Sequence, residues 1–465
     1  MPEVRSPNTR LRSLLAECSW SGADLARAVN SAGREAGLAL RYQRPSVAQW
    51  LSGSVPRSPG PELVAEALTR HLGRTVTPAQ AGFSTQRPAG ALECPSTTRA
   101  LRTLAVEAAR QTAHVYSVER LSRVPRVAGS GRYQAVSAVD HELDLSLTVV
   151  QGIRDLTAFF VRTSRLLGAE GVRAALTACL TSIAHCLSLQ TRPAVHWELR
   201  RAAATLTRLC GSVYDDDELY GTAQEFYYVS AALADESGDR AHLAAALRAL
   251  SMQARHLGHY PAALDLAQAA VDQGRQGRPG SLALLHGQLA ASFAALQDGP
   301  SAEQSLRTAD TYIVLHSASP QPSPSSARVI RAQHAYHHAT VAWHLGERTR
   351  AITALKLCLR LCPAEMSHPR AIVLARIAEM QAQEGHLDRA CETWSHFLTH
   401  RSLARSRSIE SAVVVMQATL APHRDRADAR ALLQRAIPPG TAPGRPSTAP
   451  SPYLSFLTSP HPPRP

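Results

Sequence analysis

Five alanines in the second half of the chain, Ala223, Ala263, Ala302, Ala351 and Ala390, stand at intervals of 40, 39, 49 and 39 residues. Around each lies the same local pattern. The clearest copy runs from Thr207 to Ser230 and carries Cys210, Gly211, Tyr214, Tyr220, Ala223 and Tyr227 at its informative positions. The next copy has Leu247, Leu250, Ala254, Gly258, Tyr260, Ala263 and Ala267 in register. A period of this length limits the fold severely. Each unit is one supersecondary element that buries its apolar side only against its neighbours, so the units must stack. The pattern predicts a pair of helices per unit. An alanine at the crossing lets the two backbones approach; a larger side chain would hold them apart. Gly258, Gly346 and Gly385 fall in the turn inside a pair, where a left-handed residue is useful. The third copy, around Ala302, has no turn glycine in register and is the weakest. Pro363 follows the second helix of the fourth copy. The longest interval contains Ser317 to Ser326, a Pro/Ser-rich insertion read as a mobile loop.

The pattern resembles the tetratricopeptide (TPR) repeat. Its spacing exceeds the usual 34 residues, which calls for longer helices or connections. Such repeats build a concave surface that binds other molecules. The resemblance therefore implies a TPR-type α-solenoid over residues 196–437 with a peptide or protein in its groove. It points away from an enzyme and from any cofactor.

The expected fold class is all-α, with two or three domains in 465 residues. Residues 1–83 read as a compact helical unit. Leu11, Leu14 and Leu15 begin a helix ending near Cys18. Ser21 caps a second, whose inner side is Leu25, Ala26 and Val29, and Gly37 closes it. Pro45 starts a short third helix with Val47, Trp50 and Leu51 inside, and Gly53 ends it. Pro61 opens a fourth, with Leu63, Val64, Ala67, Leu68 and Leu72 buried, and Gly73 stops it. Residues 84–98 are a linker by composition. A helical middle region, residues 99–195, is read as one helix from Leu101 to Val118, a loop from Ser122 to Tyr133, and helices Leu143 to Leu167 and Gly171 to Leu189. Residues 438–465 hold ten prolines in 28 positions. They read as a disordered Pro-rich tail with a small apolar island at Tyr453, Leu454, Phe456 and Leu457.

No apolar run reaches the ~18 residues that a membrane span needs, and Met1 to Arg12 lacks a signal core. The expectation is a cytoplasmic protein without a membrane partner. Eight cysteines are scattered without a paired framework, which suits reduced, buried thiols. Cys358 and Cys362 could share a helix face, but further ligands are missing. The formal charge of +13 suits an acidic partner such as nucleic acid. The excess is nearly all arginine, with Lys356 the only lysine; together with the alanine richness this looks like a GC-rich coding bias, so phosphate binding need not explain it. Residues 1 to 88 hold eleven arginines against six acids, net +5.

Ser46-Val47-Ala48-Gln49-Trp50-Leu51-Ser52-Gly53 with Pro56-Arg57 resembles the third helix and following turn of lambda-repressor-like helix-turn-helix domains. Asp24-Leu25-Ala26-Arg27-Ala28-Val29 is similar to their second helix. Two features depart from that family: a long segment, Asn30 to Arg44, replaces the tight turn, and the third helix carries no arginine or asparagine fork. The resemblance implies DNA contacts by Ser46, Gln49 and Ser52, with Gln49 suited to an adenine edge. Arg41, Arg44 and Arg57 flank the helix at phosphate-holding positions. The Arg70-His71-Leu72-Gly73-Arg74-Thr75-Val76 element and the order of regions resemble a group of actinobacterial regulators of differentiation and secondary metabolism. The architecture is also similar to peptide-sensing regulators of Gram-positive bacteria.

Other constellations read as structure. Asp215-Asp216-Asp217-Glu218 reads as the solvated turn inside the first repeat. His334, His337 and His338 have a ligand-like spacing, with His344 beyond, but no acidic partner is evident nearby, so no metal is expected. Gly168 to Gly171 lacks the strand and lysine of a phosphate loop. The expected protein is a transcriptional regulator that binds DNA, as a dimer because one short helix reads few bases. The alternative is an interaction scaffold or regulator of differentiation that acts without direct DNA binding.

Overall fold

The computed structural model describes residues 6–83, 96–126, 147–189, 192–319 and 324–437, with the side chains of 324–326 excepted. The expected tail and most of the expected 84–98 linker lie outside these residues. Among the described residues the chain is all-α, with no strand.

The head consists of α1 (Thr9–Glu17), α2 (Gly22–Glu35), α3 (Arg44–Leu51) and α4 (Gly60–Leu72). Ser21 accepts from the Asp24 amide while Asp24 accepts from the Ser21 amide, a reciprocal cap that fixes where α2 begins. The helix continues to Glu35, so the segment joining it to α3 is shorter than the Asn30-to-Arg44 stretch read from sequence. Asn30 explains this: its amide pairs with both backbone groups of Tyr42 at 2.8 Å and holds the connection against α2. Leu25, Val29, Val47, Trp50, Leu63, Val64 and Leu68 make one core, and the Trp50 ring meets Tyr42 edge-on.

The middle region holds α5 (Thr97–Ala109), α6 (Val118–Leu121), α7 (Leu147–Leu167) and α8 (Arg173–Ser188). The single helix expected from Leu101 to Val118 is broken. Gln111 turns left-handed, and the chain beyond it runs without helix to Ser117, whose backbone N–H and C=O both pair with the Gln224 amide. A tertiary anchor thus overrides local helix propensity.

Five helix pairs follow: α9 (Pro193–Asp216) with α10 (Tyr220–Glu236), α11 (Arg240–His256) with α12 (Tyr260–Gly274), α13 (Pro279–Ala295) with α14 (Gly299–Ala318), α15 (Pro324–His344) with α16 (Arg348–Leu361), and α17 (Ser367–Gln383) with α18 (Leu387–Arg401). Then come α19 (Arg407–Leu420) and α20 (Ala427–Ala436). Ala223, Ala263, Ala302, Ala351 and Ala390 lie near the start of the second helix of each pair, and each is fully buried. The turns inside the pairs place Glu218, Gly258, Gln297, Gly346 and Gly385 at φ of 56°, 88°, 64°, 79° and 80°. A Cβ on any of the three glycines would meet nothing within 4 Å, so they serve the backbone angle and not close packing. The Pro/Ser-rich stretch is mostly helical where described: α14 extends through Ala318 and α15 begins at Pro324.

The solenoid closes on itself. α7 packs against both α9 and α17, joining the first repeat to the fifth. The Arg405 amide donates to the Leu167 carbonyl at 2.8 Å, and the Arg405 carbonyl accepts from Glu170. Gly168, left-handed, is needed here because a Cβ would collide with the Arg405 carbonyl. The middle region shares one continuous core with the first two repeats.

Candidate functional site

The acidic run is not a solvated turn. Asp217 is buried and pairs with Arg173 of α8, and it also accepts from the Arg407 amide. Asp216 accepts from His368 of α17 at 2.9 Å, and its carbonyl accepts from Ser408 at 2.6 Å. Asp215 accepts from Gln253 of α11 at 2.8 Å. Three adjacent carboxylates thus fasten four different elements, α8, α11, α17 and α19, around the point of closure. Burial opposes the charge on His368, but the Asp216 carboxylate outweighs it and raises the pKa. Burial pushes the Asp217 carboxyl up, with Arg173 pulling against it.

Inside the closure lies a cavity of about 380 Å³. A smaller one adjoins it and shares Asp215, Met252 and Tyr336 as lining. Their walls come chiefly from the first helices of the pairs: α9, α11, α15 and α17. Arg165, Arg248, Arg255 and Arg376 line them, against Asp215 and Asp216. Met252, Tyr336, Trp343, Ile372 and Val373 supply apolar wall. Burial and the nearby Arg208 draw Arg248 down to about 10, which leaves it charged at neutral pH. It donates to the Leu284 carbonyl at 3.2 Å and to His337 Nε2 at 3.3 Å. Burial takes His337 well below its ordinary range and His344 to about 3, so both imidazoles are neutral at physiological pH. His344 accepts from Arg255 at 3.4 Å. The lining therefore pairs positive charge with apolar surface, as a ligand carrying carboxylates and apolar side chains requires. Cys358 and Cys362 also face this cavity, and burial pushes the Cys358 thiol up to about 12. Both cysteines are free thiols.

The head is docked on the solenoid through α4. Glu66 accepts from His259 at 2.8 Å, and both side chains are about 95% buried. Arg70 joins Glu66 and Glu35, at 2.7 Å each. Burial would raise the Glu66 carboxyl; His259 and Arg70 outweigh it and hold it below the ordinary range. Burial raises Glu35 despite Arg70. The Tyr116 ring stacks on His259 with centroids 5.3 Å apart. At the end of α2, Arg407 donates to the Arg34 carbonyl at 3.3 Å.

That docking leaves α3 uncovered. Arg41, Arg44, Gln49, Ser52 and Arg57 are exposed, and Ser46 is half-buried. None of the three arginines forms an ion pair with another described residue. The two serines have local work: Ser46 Oγ accepts from the Gln43 amide at 3.3 Å, and Ser52 Oγ donates to the Gln49 carbonyl at 2.8 Å. Among the six residues singled out by resemblance, Gln49 and the three arginines therefore offer the freest polar groups.

The histidines of α15 divide between two faces. His337 turns to the cavity, whereas His334 and His338 meet Asp310 of α14. No acidic partner is evident near these histidines in the sequence because Asp310 lies 24 residues before His334 and belongs to the preceding repeat.

Residues 11–84 match a family model described as the SP15 N-terminal domain. No curated protein matches the chain. Among solved structures, the chain is similar to aspartyl phosphate phosphatase F from Bacillus subtilis at 13% identity, with a TM-score of 0.32, over 75% of this chain and 93% of that chain. A likeness this distant says nothing of activity. No helix among the described residues is long and apolar enough to cross a membrane.

Proposed function

We propose that the chain is a cytoplasmic, non-enzymatic transcriptional regulator whose head binds DNA and whose solenoid groove binds a peptide or protein segment. One observation carries the reading. The head commits α4 and the end of α2 to the solenoid and leaves α3 outward, with Arg41, Arg44 and Arg57 around the exposed Gln49. A helix presented this way suits the major groove, the arginines suit phosphates, and Gln49 suits an adenine edge. Two copies of the chain would be needed to read a site of useful length.

The groove supplies the regulatory half. Four arginines and an apolar wall favour a segment with acidic and apolar side chains. Its wall includes Asp216 and His368, which also hold the closure. A ligand there bears directly on whether the fifth repeat stays joined to the first. The head rests on the second repeat through His259, so a change in closure would alter the spacing of two heads in a dimer.

Binding of the purified chain to duplex DNA over a salt series tests the reading. Phosphate contacts must release counterions, so affinity should fall steeply with salt. Arg44→Ala and Arg57→Ala should weaken binding to every sequence, and Gln49→Ala should relax preference at one position. Absent or salt-insensitive binding would overturn it in favour of a scaffold that acts through proteins alone.

A further inference from the structure

We infer that Asp310, His334 and His338 form a binding site for a divalent transition cation of the zinc class, set between the third and fourth repeats with coordination positions open to water. The three residues come from α14 and α15. His334 and His338 lie four apart and so share a face of α15. Asp310 Oδ1 lies 2.8 Å from each histidine Nε2, and the two Nε2 atoms are 3.1 Å apart.

These three contacts cannot all be hydrogen bonds. A carboxylate oxygen only accepts, so each Nε2 would need its own proton to reach it. With both protons directed at the oxygen, neither nitrogen keeps a lone pair, and no hydrogen bridges the 3.1 Å between them. Removing one proton restores that contact but sets a lone pair against the carboxylate. A cation satisfies all three at once, because each atom then offers a lone pair to one centre. Zinc stands about 2.0–2.1 Å from such ligands, and a point that far from all three atoms lies roughly 1 Å off their plane. The ligands then occupy one side of the ion and leave the other free.

The donor set chooses the metal. Two imidazoles and one carboxylate suit zinc, cobalt, nickel or ferrous iron; calcium and magnesium prefer oxygen alone. Asp310 is 49% exposed and His338 26%, so the site opens to solvent, whereas His334 is nearly covered. The buried Nδ1 of His334 has no hydrogen-bond partner. A metal-bound imidazole normally donates from that atom, and losing such a partner costs about 10–100-fold in affinity. The site should therefore bind more weakly than a four-ligand structural zinc. Its place in the fold gives it a purpose. It joins α14 to α15 across the longest interval of the repeat, and α15 carries Tyr336 and His337 into the groove wall.

The test uses the full chain, freed of metal by a chelator and titrated with zinc against a chromophoric competitor. Wild type should bind one tight equivalent, and cobalt should show the d–d absorption of a histidine-ligated site. Asp310→Asn and His338→Gln should each weaken that equivalent by about tenfold or more. The thermal midpoint should rise with zinc only in wild type. Asp310 is half-exposed, and unchanged helical circular dichroism would show that Asp310→Asn still folds. No stoichiometric zinc binding, or equal binding by wild type and both variants, would overturn the site. Displacement by millimolar magnesium would overturn its assignment to the zinc class.

Discussion

Glu379 on α17 is 2% exposed, and neither of its carboxyl oxygens has a hydrogen-bond partner. Burial pushes its pKa up to about 8, with Arg376 pulling it part of the way back. In the unfolded chain the same group releases its proton near 4.5. Between those values the folded state keeps a proton that the unfolded state has lost, so stability falls as pH rises. Each pH unit is worth about 1.4 kcal/mol. The loss therefore reaches about 3 kcal/mol at pH 7 and levels off on the order of 5 kcal/mol above pH 8. Glu379→Gln keeps the shape and removes the titration. Urea unfolding of both proteins at pH 5, 6, 7 and 8 would measure the difference. Fluorescence of Trp394, buried in the core that α17 and α18 share, reports on this region. The advantage of the variant should grow by about 3 kcal/mol from pH 5 to pH 8. A gap that does not change with pH would refute the reasoning, since it would mean that Glu379 is already ionised in the folded protein.

Gln111→Gly should raise stability by about 1 kcal/mol in thermal unfolding, because the exposed Gln111 holds a left-handed angle that costs a side-chain-bearing residue. Gly258→Ala should lower it by a similar amount. Ala263→Leu should cost about 1–3 kcal/mol by forcing α11 and α12 apart, read as a lower melting temperature by circular dichroism. His368 has a raised pKa in the folded state, so its stabilisation is complete below the ordinary value of 6.5 and is lost as pH rises through the raised one. Thermal midpoints of wild type and His368→Gln should thus differ most at pH 6 and converge by pH 9.

The five alanines were legible because a crossing point tolerates few residues, and the requirement recurs wherever two helices pair. The turn glycines were legible for the same reason. Glu218 and Gln297 were not, since only the backbone angle distinguishes them from ordinary helix ends. The break after Ala109 was hidden because its cause, Gln224, lies in another element. The same holds for the closure. Asp216 reads locally as surface charge, and nothing near it in the chain announces His368. Asp310 and His334 form a similar case on a smaller scale. Residue spacing reveals what one element needs; it does not reveal what two distant elements bring to each other.

An open solenoid can gain or lose a unit at little cost, because only one junction changes. This chain has given up that freedom. α7 meets both the first and the fifth pair, and Asp216 reaches His368 only when the intervening units bring α17 around. Deleting one pair, or inserting a sixth between α12 and α13, would change only the junction at that point and still part Asp216 from His368. The number of repeats is therefore set by circumference, as the number of staves is set in a barrel.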